Sequence, residues 1–394
     1  MRLPPELNDL TLDHLHDDKA ALARCALVCR DWTHSVRHHL WNTIQLKATM
    51  EDITLKLVHP LATPEIAFHV RNIVVASESP IGKVRGETDM HILHHILSLL
   101  SHHPHLQSFT LRNITFSPNV CDGDSCTALR LPSIRKLSIV DVAFDALQDV
   151  QWLWCMFPSA DRLQLDRVWW TPWSNSRVNN VNPCQHTPRP SYKEFALGHC
   201  CSRDTVAKWL LGMSPSLDIQ TLRLPLVGIH DVFLADLLRG IGVSLHHLEM
   251  GSLGHVKNST RYKAYLDFSA NTELKSISIG VPMYRDPATV LEWMTAILSQ
   301  IVSTTVTHIT FSIFPVHKSQ NPKALLDNFD WEALVFVLQR PQFARLSNII
   351  FRLAGQTDYL KYPHNFAPLS AILPDIITSH FDPLLRRGVD VSIL

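Results

Sequence analysis

One spacing of apolar residues, apolar-x-x-apolar-x-apolar, recurs along the chain after residue 48. Ten copies align on their fourth position, and successive copies are separated by 26 to 40 residues. Because side chains alternate between the two faces of a strand, the last two apolar residues of each copy share one face. The pattern therefore predicts ten strands, each with one buried face. The fourth positions are Ile73, Phe109, Leu137, Leu163, Phe195, Leu222, Leu248, Ile277, Ile309 and Ile349.

The segments between these copies have helical periodicity, and residues 388–394 form an eleventh candidate strand. The predicted helices are 88–102, 147–157, 203–212, 229–240, 287–303 and 330–339. Alternating strands and helices at such intervals are typical of a leucine-rich-repeat solenoid, an α/β fold with a curved parallel sheet and outer helices. An ordinary α/β domain also alternates strands and helices. We favour the solenoid because all ten copies place their apolar residues at the same positions, and ten strands are more than a doubly wound sheet needs.

The first 41 residues have a different pattern, with two amphipathic stretches at helical spacing. Leu3-Pro4-Pro5-Glu6-Leu7 opens the first stretch, Leu27-Val28-Cys29-Arg30-Asp31-Trp32 lies in the second, and Leu40-Trp41 closes the region. This order of motifs resembles an F-box. Ten residues fall on the characteristic positions of that family: Leu3, Pro4, Glu6, Leu7, Leu12, Leu15, Leu27, Val28, Cys29 and Trp32.

The resemblance implies an all-α hairpin that docks on the Skp-type adaptor of a cullin-RING ubiquitin ligase. Residues 1–48 would bind the adaptor and residues 49–394 would bind a target protein. The chain would then be the substrate-recognition subunit of an SCF-type ligase, and other subunits would supply the catalysis. Thr11 departs from the family pattern, which has a large aliphatic residue there. The alternative is a non-ligase interaction scaffold whose N-terminal hairpin only caps the solenoid.

Candidate target-binding residues lie on an insertion and on strand faces. The insertion at 169–190 carries Trp169, Trp170 and Trp173 beside a stretch rich in Pro and Asn. Tryptophan is frequent among binding hot spots, but it also anchors long loops by packing, and both interpretations stay open. Three polar residues at outward strand positions complete the candidates: Arg223, His247 and Glu249.

Composition narrows the class of partner. The chain has 394 residues, 46% of them hydrophobic, with 36 basic and 36 acidic side chains. This balance gives no electrostatic reason to expect nucleic acid or an anionic membrane as partner. The chain has no stretch of about 18 apolar residues and no signal-peptide core, so a cytoplasmic or nuclear protein is expected. The eight cysteines are accordingly expected to be free thiols.

Motifs for catalysis or metal binding are missing from the sequence. The 23 histidines include several adjacent pairs, which chelate poorly because neighbouring side chains diverge. No nucleophile elbow, Walker loop or dinucleotide-binding turn occurs. We therefore expect no metal and no cofactor, and a binding protein rather than an enzyme. An α/β enzyme would need a pocket with convergent titratable groups.

Overall fold

The computed structural model describes most of the chain, which divides into two compact units, Met1–Pro190 and Ser191–Leu394. The predicted boundary after residue 48 separates a proposed module from the repeats and stays a prediction. The described residues are 5–28, 30–77, 86–88, 90–116, 130–170, 191–200, 202–213, 217–227, 231–253, 266–282, 287–314, 326–327, 329–353 and 367–394.

The first unit begins with a helical module. In the described part of residues 5–41 it has three helices, so the predicted two-helix hairpin is not confirmed: α1 (Pro5–Asp13), α2 (Lys19–Cys25) and α3 (Arg30–Trp41). The Asp18 side chain caps α2 by accepting a hydrogen bond from the Ala21 N–H at 2.9 Å. After Cys25 the chain tightens into a turn in which Leu27 N–H donates to Arg24 and Val28 N–H to Cys25.

Parallel strands follow the module in chain order. The strands of the first unit are β1 (Thr43–Lys47), β2 (Asn72–Ala76), β3 (Gly86–Thr88), β4 (Ser108–Phe116), β5 (Lys136–Phe144) and β6 (Arg162–Trp170). Their order in the sheet is β1-β2-β4-β5-β6, and β3 pairs with the second half of β4. The buried residues Ile73, Phe109, Leu137 and Leu163 are direct neighbours across it.

Helices connect these strands. They are α4 (Met50–Ile53), α5 (His59–Ala62), α6 (Pro64–Ala67), α7 (Met90–Leu100) and α8 (Leu147–Cys155), with a π-helical turn at Thr54–Val58. Asn42 is the one residue between α3 and β1, and its carbonyl accepts hydrogen bonds from the Arg71 and Asn72 N–H groups. The Asn72 side chain donates to Asn42 Oδ1 at 3.1 Å. The helical module is therefore joined to the first two strands without a linker.

A row of left-handed residues crosses β4, β5 and β6. Asn113, Asp141 and Arg167 have φ of 55°, 56° and 51° and occupy equivalent positions in the three strands. Each shifts the alternation of side chains by one residue, so the buried positions change from Phe109 and Leu111 to Ile114 and Phe116. The strands thereby contribute a second pair of core residues, which the repeat pattern did not include.

The second unit contains the remaining strands in sequential parallel order. They are β7 (Glu194–Leu197), β8 (Thr221–Val227), β9 (His247–Leu253), β10 (Ser276–Pro282), β11 (His308–Phe314), β12 (Asn348–Leu353) and β13 (Asp390–Ile393). Fourth-position residues again lie side by side, and the row ends at Val391: Phe195, Leu222, Leu248, Ile277, Ile309 and Ile349.

The helices of the second unit follow their strands along the chain. They are α9 (Arg203–Met213), α10 (Phe233–Ile241), α11 (Pro287–Gln300), α12 (Trp331–Leu338), α13 (Ala367–His380) and α14 (Asp382–Arg386), with 3₁₀ turns at Gly242–Ser244 and Pro341–Phe343. Helix α10 ends where Gly242 takes a φ of 58°. The buried Asn271 amide donates to the carbonyls of Leu238 and Gly242, which satisfies this helix end.

The structure confirms the coarse fold prediction, a solenoid-like α/β arrangement of parallel strands with outer helices. A strand is present at every fourth position and at 390–393, and a helix overlaps each predicted helical segment. Strands β1 and β3 were not predicted. The expectation of free thiols holds for Cys25 and Cys200 but is wrong for Cys155, which is disulfide-bonded. Spacing along a chain does not show which thiols the fold brings within bonding distance.

Candidate functional site

The helical module has a small apolar core of its own. Leu12, Leu22 and Val36, one from each helix, are completely buried together. Five partly buried side chains pack around them: Leu15, Cys25, Ala26, Trp32 and Leu40. Leu12, Leu15 and Trp32, three of the ten family-position residues, therefore hold the helices together.

Other apolar residues of the same motifs point to solvent. Leu27 is 88% exposed and Val28 is 66% exposed, both in the turn between α2 and α3. Leu7 and Leu10 on α1 are also about half exposed, at 47% and 54%. Large apolar side chains left in water gain nothing from folding, so these four residues are candidates for contact with a partner. We call Leu7, Leu10, Leu27 and Val28 the exposed apolar set.

Thr11 does not weaken the module core. Its side chain is exposed, and its hydroxyl donates to the Leu7 carbonyl one turn earlier at 2.8 Å. The departure from the family pattern therefore removes no buried apolar group from this chain. Leu3, Pro4 and Cys29 lie outside the described residues, and of Glu6 only the backbone, within α1, is described.

Three charged residues on β7, β8 and β9 form a continuous ion-pair row. Arg223 Nη1 lies 3.1 Å from Glu194 Oε1, and Arg223 Nε lies 3.5 Å from Glu249 Oε2. The structure thus brings the candidates Arg223 and Glu249 together, and adds Glu194. The Arg223 side chain is half exposed, so the row offers a polar surface in which one guanidinium is shared by two carboxylates.

His247 lies two residues before Glu249, on the same face of β9. Its Nδ1 is 2.7 Å from the Ser276 hydroxyl on β10. Burial lowers the pKa of His247, and the neighbouring His246, Lys275 and His308 lower it further. These effects favour the neutral imidazole, which is a hydrogen-bonding group.

The tryptophans of the predicted insertion separate into different environments. Trp169 and Trp170 belong to β6, opposite Ala143 and Phe144 of β5, so the strand extends two residues into that range. Trp170 is buried and continues the row made by the stacked rings of Phe116 and Phe144. Trp170 is therefore a packed side chain of the strand, and its two predicted roles stay predictions. Trp169 is half-buried, and Trp173 lies outside the described residues.

The sequence did not predict which motif residues are exposed. Amphipathic spacing placed Leu27 and Val28 on the flank of one continuous helix, but that helix ends at Cys25. The i to i−3 hydrogen bonds after Cys25 turn both side chains outward. Sequence patterns rarely fix helix ends to within two residues.

Within the described ranges no three His, Cys, Asp or Glu side chains are grouped so that they could hold a metal ion. No helix in this part of the chain is both long enough and apolar enough to cross a membrane. In the comparisons with known proteins, no family model matches the chain. A search of curated proteins likewise finds no match. The candidate surfaces must therefore be judged by their own geometry.

Proposed function

We propose that the chain is the substrate-recognition subunit of an SCF-type cullin-RING ubiquitin ligase. The helical module binds a Skp-type adaptor, and the solenoid-like units bind a target protein. The chain itself is not the catalyst, because ubiquitin transfer belongs to other subunits of such ligases. The proposal places the protein in the cytoplasm or nucleus. A disulfide at Cys155 is uncommon in reducing compartments, so cell fractionation is a direct check of that placement.

The proposal rests on one observation: some of the motif residues are packed in the module core, and others are exposed to solvent. Leu12, Leu15 and Trp32 pack around the module core, while Leu7, Leu27 and Val28 stay exposed. Leu27 and Val28 are adjacent in the chain, and their exposed apolar surface gains nothing from the folding of the module itself. Their exposure supports docking into a complementary apolar groove, where a few such anchors dominate the binding energy.

The packing of α3 favours a second function for the module, as a cap on the first repeat. Helix α3 contacts β1, and the His34 ring lies 4.8 Å from the buried His69 ring just before β2. Repeat proteins need such caps at their ends. The cap function uses the packed face of α3, whereas adaptor binding uses the exposed apolar set.

The test is adaptor capture by the purified full chain and by a Leu27→Ser/Val28→Ser double variant. Both residues are exposed, so the variant is expected to fold normally while losing adaptor capture by about tenfold or more. Phe336→Ser, at an equally exposed apolar residue of α12, is the matched control. Point variants are preferable to a truncation at residue 49, because that cut removes β1 from the sheet.

Two outcomes contradict the proposal. Wild-type chain that is folded but captures no adaptor leaves the module with the cap function alone. Capture that survives in the double variant shows that Leu27 and Val28 are not the anchors.

A further inference from the structure

A cluster of basic side chains lies where α3 meets the segment that leads into β2. The basic cluster consists of His34, Arg37, His38, His69 and Arg71. The ring of His69 is 4.8 Å from that of His34 and 6.3 Å from that of His38, measured between centroids. The Arg71 guanidinium lies over the neighbouring Phe68 ring, 5.4 Å from its centre. Both arginines are close enough to act on the pKa of His69.

The cluster is rich in donors and poor in acceptors. Among the described residues, the side chains of His34, Arg37, His38 and His69 make no hydrogen bond or ion pair. Arg71 uses one guanidinium nitrogen on the His105 carbonyl, at 3.2 Å. His69 is only 5% exposed. Neither ring nitrogen of His69 is a fully buried atom without a partner, so the unused donors of the cluster remain open to a ligand that approaches from solvent.

The charges that face the cluster are almost all positive. Burial lowers the pKa of His69, and four neighbours lower it further: His34, His38, Arg37 and Arg71. Burial also lowers the pKa of His38, followed by the effects of His39, Arg71 and His34. Asp13 of α1 opposes this shift on His38, but its carboxylate is already held by His39 Nε2 at 3.0 Å.

We propose that the basic cluster binds a tetrahedral oxyanion, either inorganic phosphate or the phosphate group of a small phosphomonoester. Guanidinium groups donate paired N–H bonds that match phosphate oxygens, and protonated imidazoles add further donors. A bound dianion also relieves the repulsion between Arg37, Arg71 and the three imidazoles. The site is independent of the exposed apolar set and of the adaptor-binding proposal.

The site has a distinctive pH dependence. Binding of a dianion favours the protonated imidazoles, so its affinity rises as the pH falls from 8 to 6. Sulfate keeps both charges across this interval, whereas phosphate takes up a proton near its lower end. The pH dependence of sulfate binding therefore reports on the histidines alone.

The experiment is calorimetric titration of the full chain with sodium sulfate at pH 6 and pH 8, at constant ionic strength. We expect saturable binding that is about tenfold tighter at pH 6. Arg37→Gln is expected to weaken it by about tenfold or more. Arg345→Gln, which removes an exposed arginine of the second unit, is the matched control and should change the affinity by less than about twofold. A second variant, His38→Gln, should reduce the difference between the sulfate affinities measured at pH 6 and pH 8.

No saturable heat at pH 6, or equal binding by wild type and folded Arg37→Gln, overturns the proposal. Equal affinity at pH 6 and pH 8 overturns the role of the histidines. Titration with inorganic phosphate and with O-phosphoserine then shows whether the site prefers the free ion or a phosphomonoester. Tighter binding of O-phosphoserine assigns a phosphomonoester, and tighter binding of phosphate assigns the free ion.

Discussion

Arg203 and Asp231 form an ion pair between consecutive repeats of the second unit. Arg203 Nη2 at the start of α9 donates to Asp231 Oδ2 just before α10, at 2.7 Å. The two side chains are 15% and 8% exposed, so neither charge has much access to water. A pair in this environment is far more sensitive to the loss of one partner than a pair on the surface.

Replacement of Arg203 by Ala should destabilise the second unit by roughly 2–3 kcal/mol, because it leaves a buried carboxylate without this guanidinium. The matched control is Arg386→Ala on α14, whose ion pair with Asp382 has the same 2.7 Å separation but is well exposed. That change should cost less than about 0.5 kcal/mol. Urea denaturation followed by circular dichroism measures both, and equal losses would contradict the role of burial.

Leu12→Ala should mainly reduce the stability of the module, whereas Leu27→Ala should mainly reduce adaptor binding. Leu12 is completely buried, so truncation should cost about 2–4 kcal/mol of module stability. Leu27 is 88% exposed, so its truncation should cost less than about 0.5 kcal/mol while still weakening adaptor capture. Hydrogen exchange of the amides of α1 to α3 reports module stability without interference from the second unit. Similar exchange in the two variants would refute the assignment of Leu12 to the core.

Gly251→Ala should disrupt the contact between β8 and β9. A Cβ at residue 251 would overlap the Pro225 carbonyl oxygen, and the other nearby atoms are also backbone of Pro225. Since backbone cannot move aside as a side chain can, we expect a loss of about 3 kcal/mol or more. Gly212→Ala in α9 meets nothing within 4 Å and should stabilise the chain by about 0.5–1 kcal/mol. Thermal melting distinguishes the two variants, because Gly251→Ala should lower the melting temperature and Gly212→Ala should raise it.

The first unit should lose stability in mild acid. The pKa values of His38 and His69 are lowered in the folded chain from 6.5, mainly by burial. Unfolded chains therefore bind more protons than folded ones below about pH 6.5, and the free energy of unfolding falls as the pH decreases toward the folded pKa values. His38→Gln should reduce this slope, as measured by urea denaturation between pH 5 and pH 7.5. An unchanged slope would mean that other groups cause the acid sensitivity.

The strands were predictable because their burial depends on a local alternation. Ile73, Leu137 and Ile277 could be recognised from three apolar residues each, and all are buried in aligned positions. Strand β1 was missed because Ile44 and Leu46 alone are too short a pattern to distinguish from a helix end.

The candidate surfaces were predicted only in part, because they depend on where helices end and which strands meet. Arg223 and Glu249 lie in register on paired strands, so their contact follows from the strand alignment. The exposure of Leu27 depends on a helix that ends two residues earlier. The basic cluster joins His34 and His69, which are far apart in sequence and share no repeat position. Local patterns carry no information on such contacts.

The short connection at Asn42 has a mechanical consequence. Helix α3 passes into β1 through this residue alone, and its carbonyl and side chain are both hydrogen-bonded to the start of β2. These hydrogen bonds fix the end of α3 directly to the start of β2, with no linker between the helical module and the strands. A partner bound by Leu27 and Val28 would therefore have a defined orientation relative to β1 and β2. Insertion of a few glycines beside Asn42 would make this orientation variable without changing Leu27 or Val28.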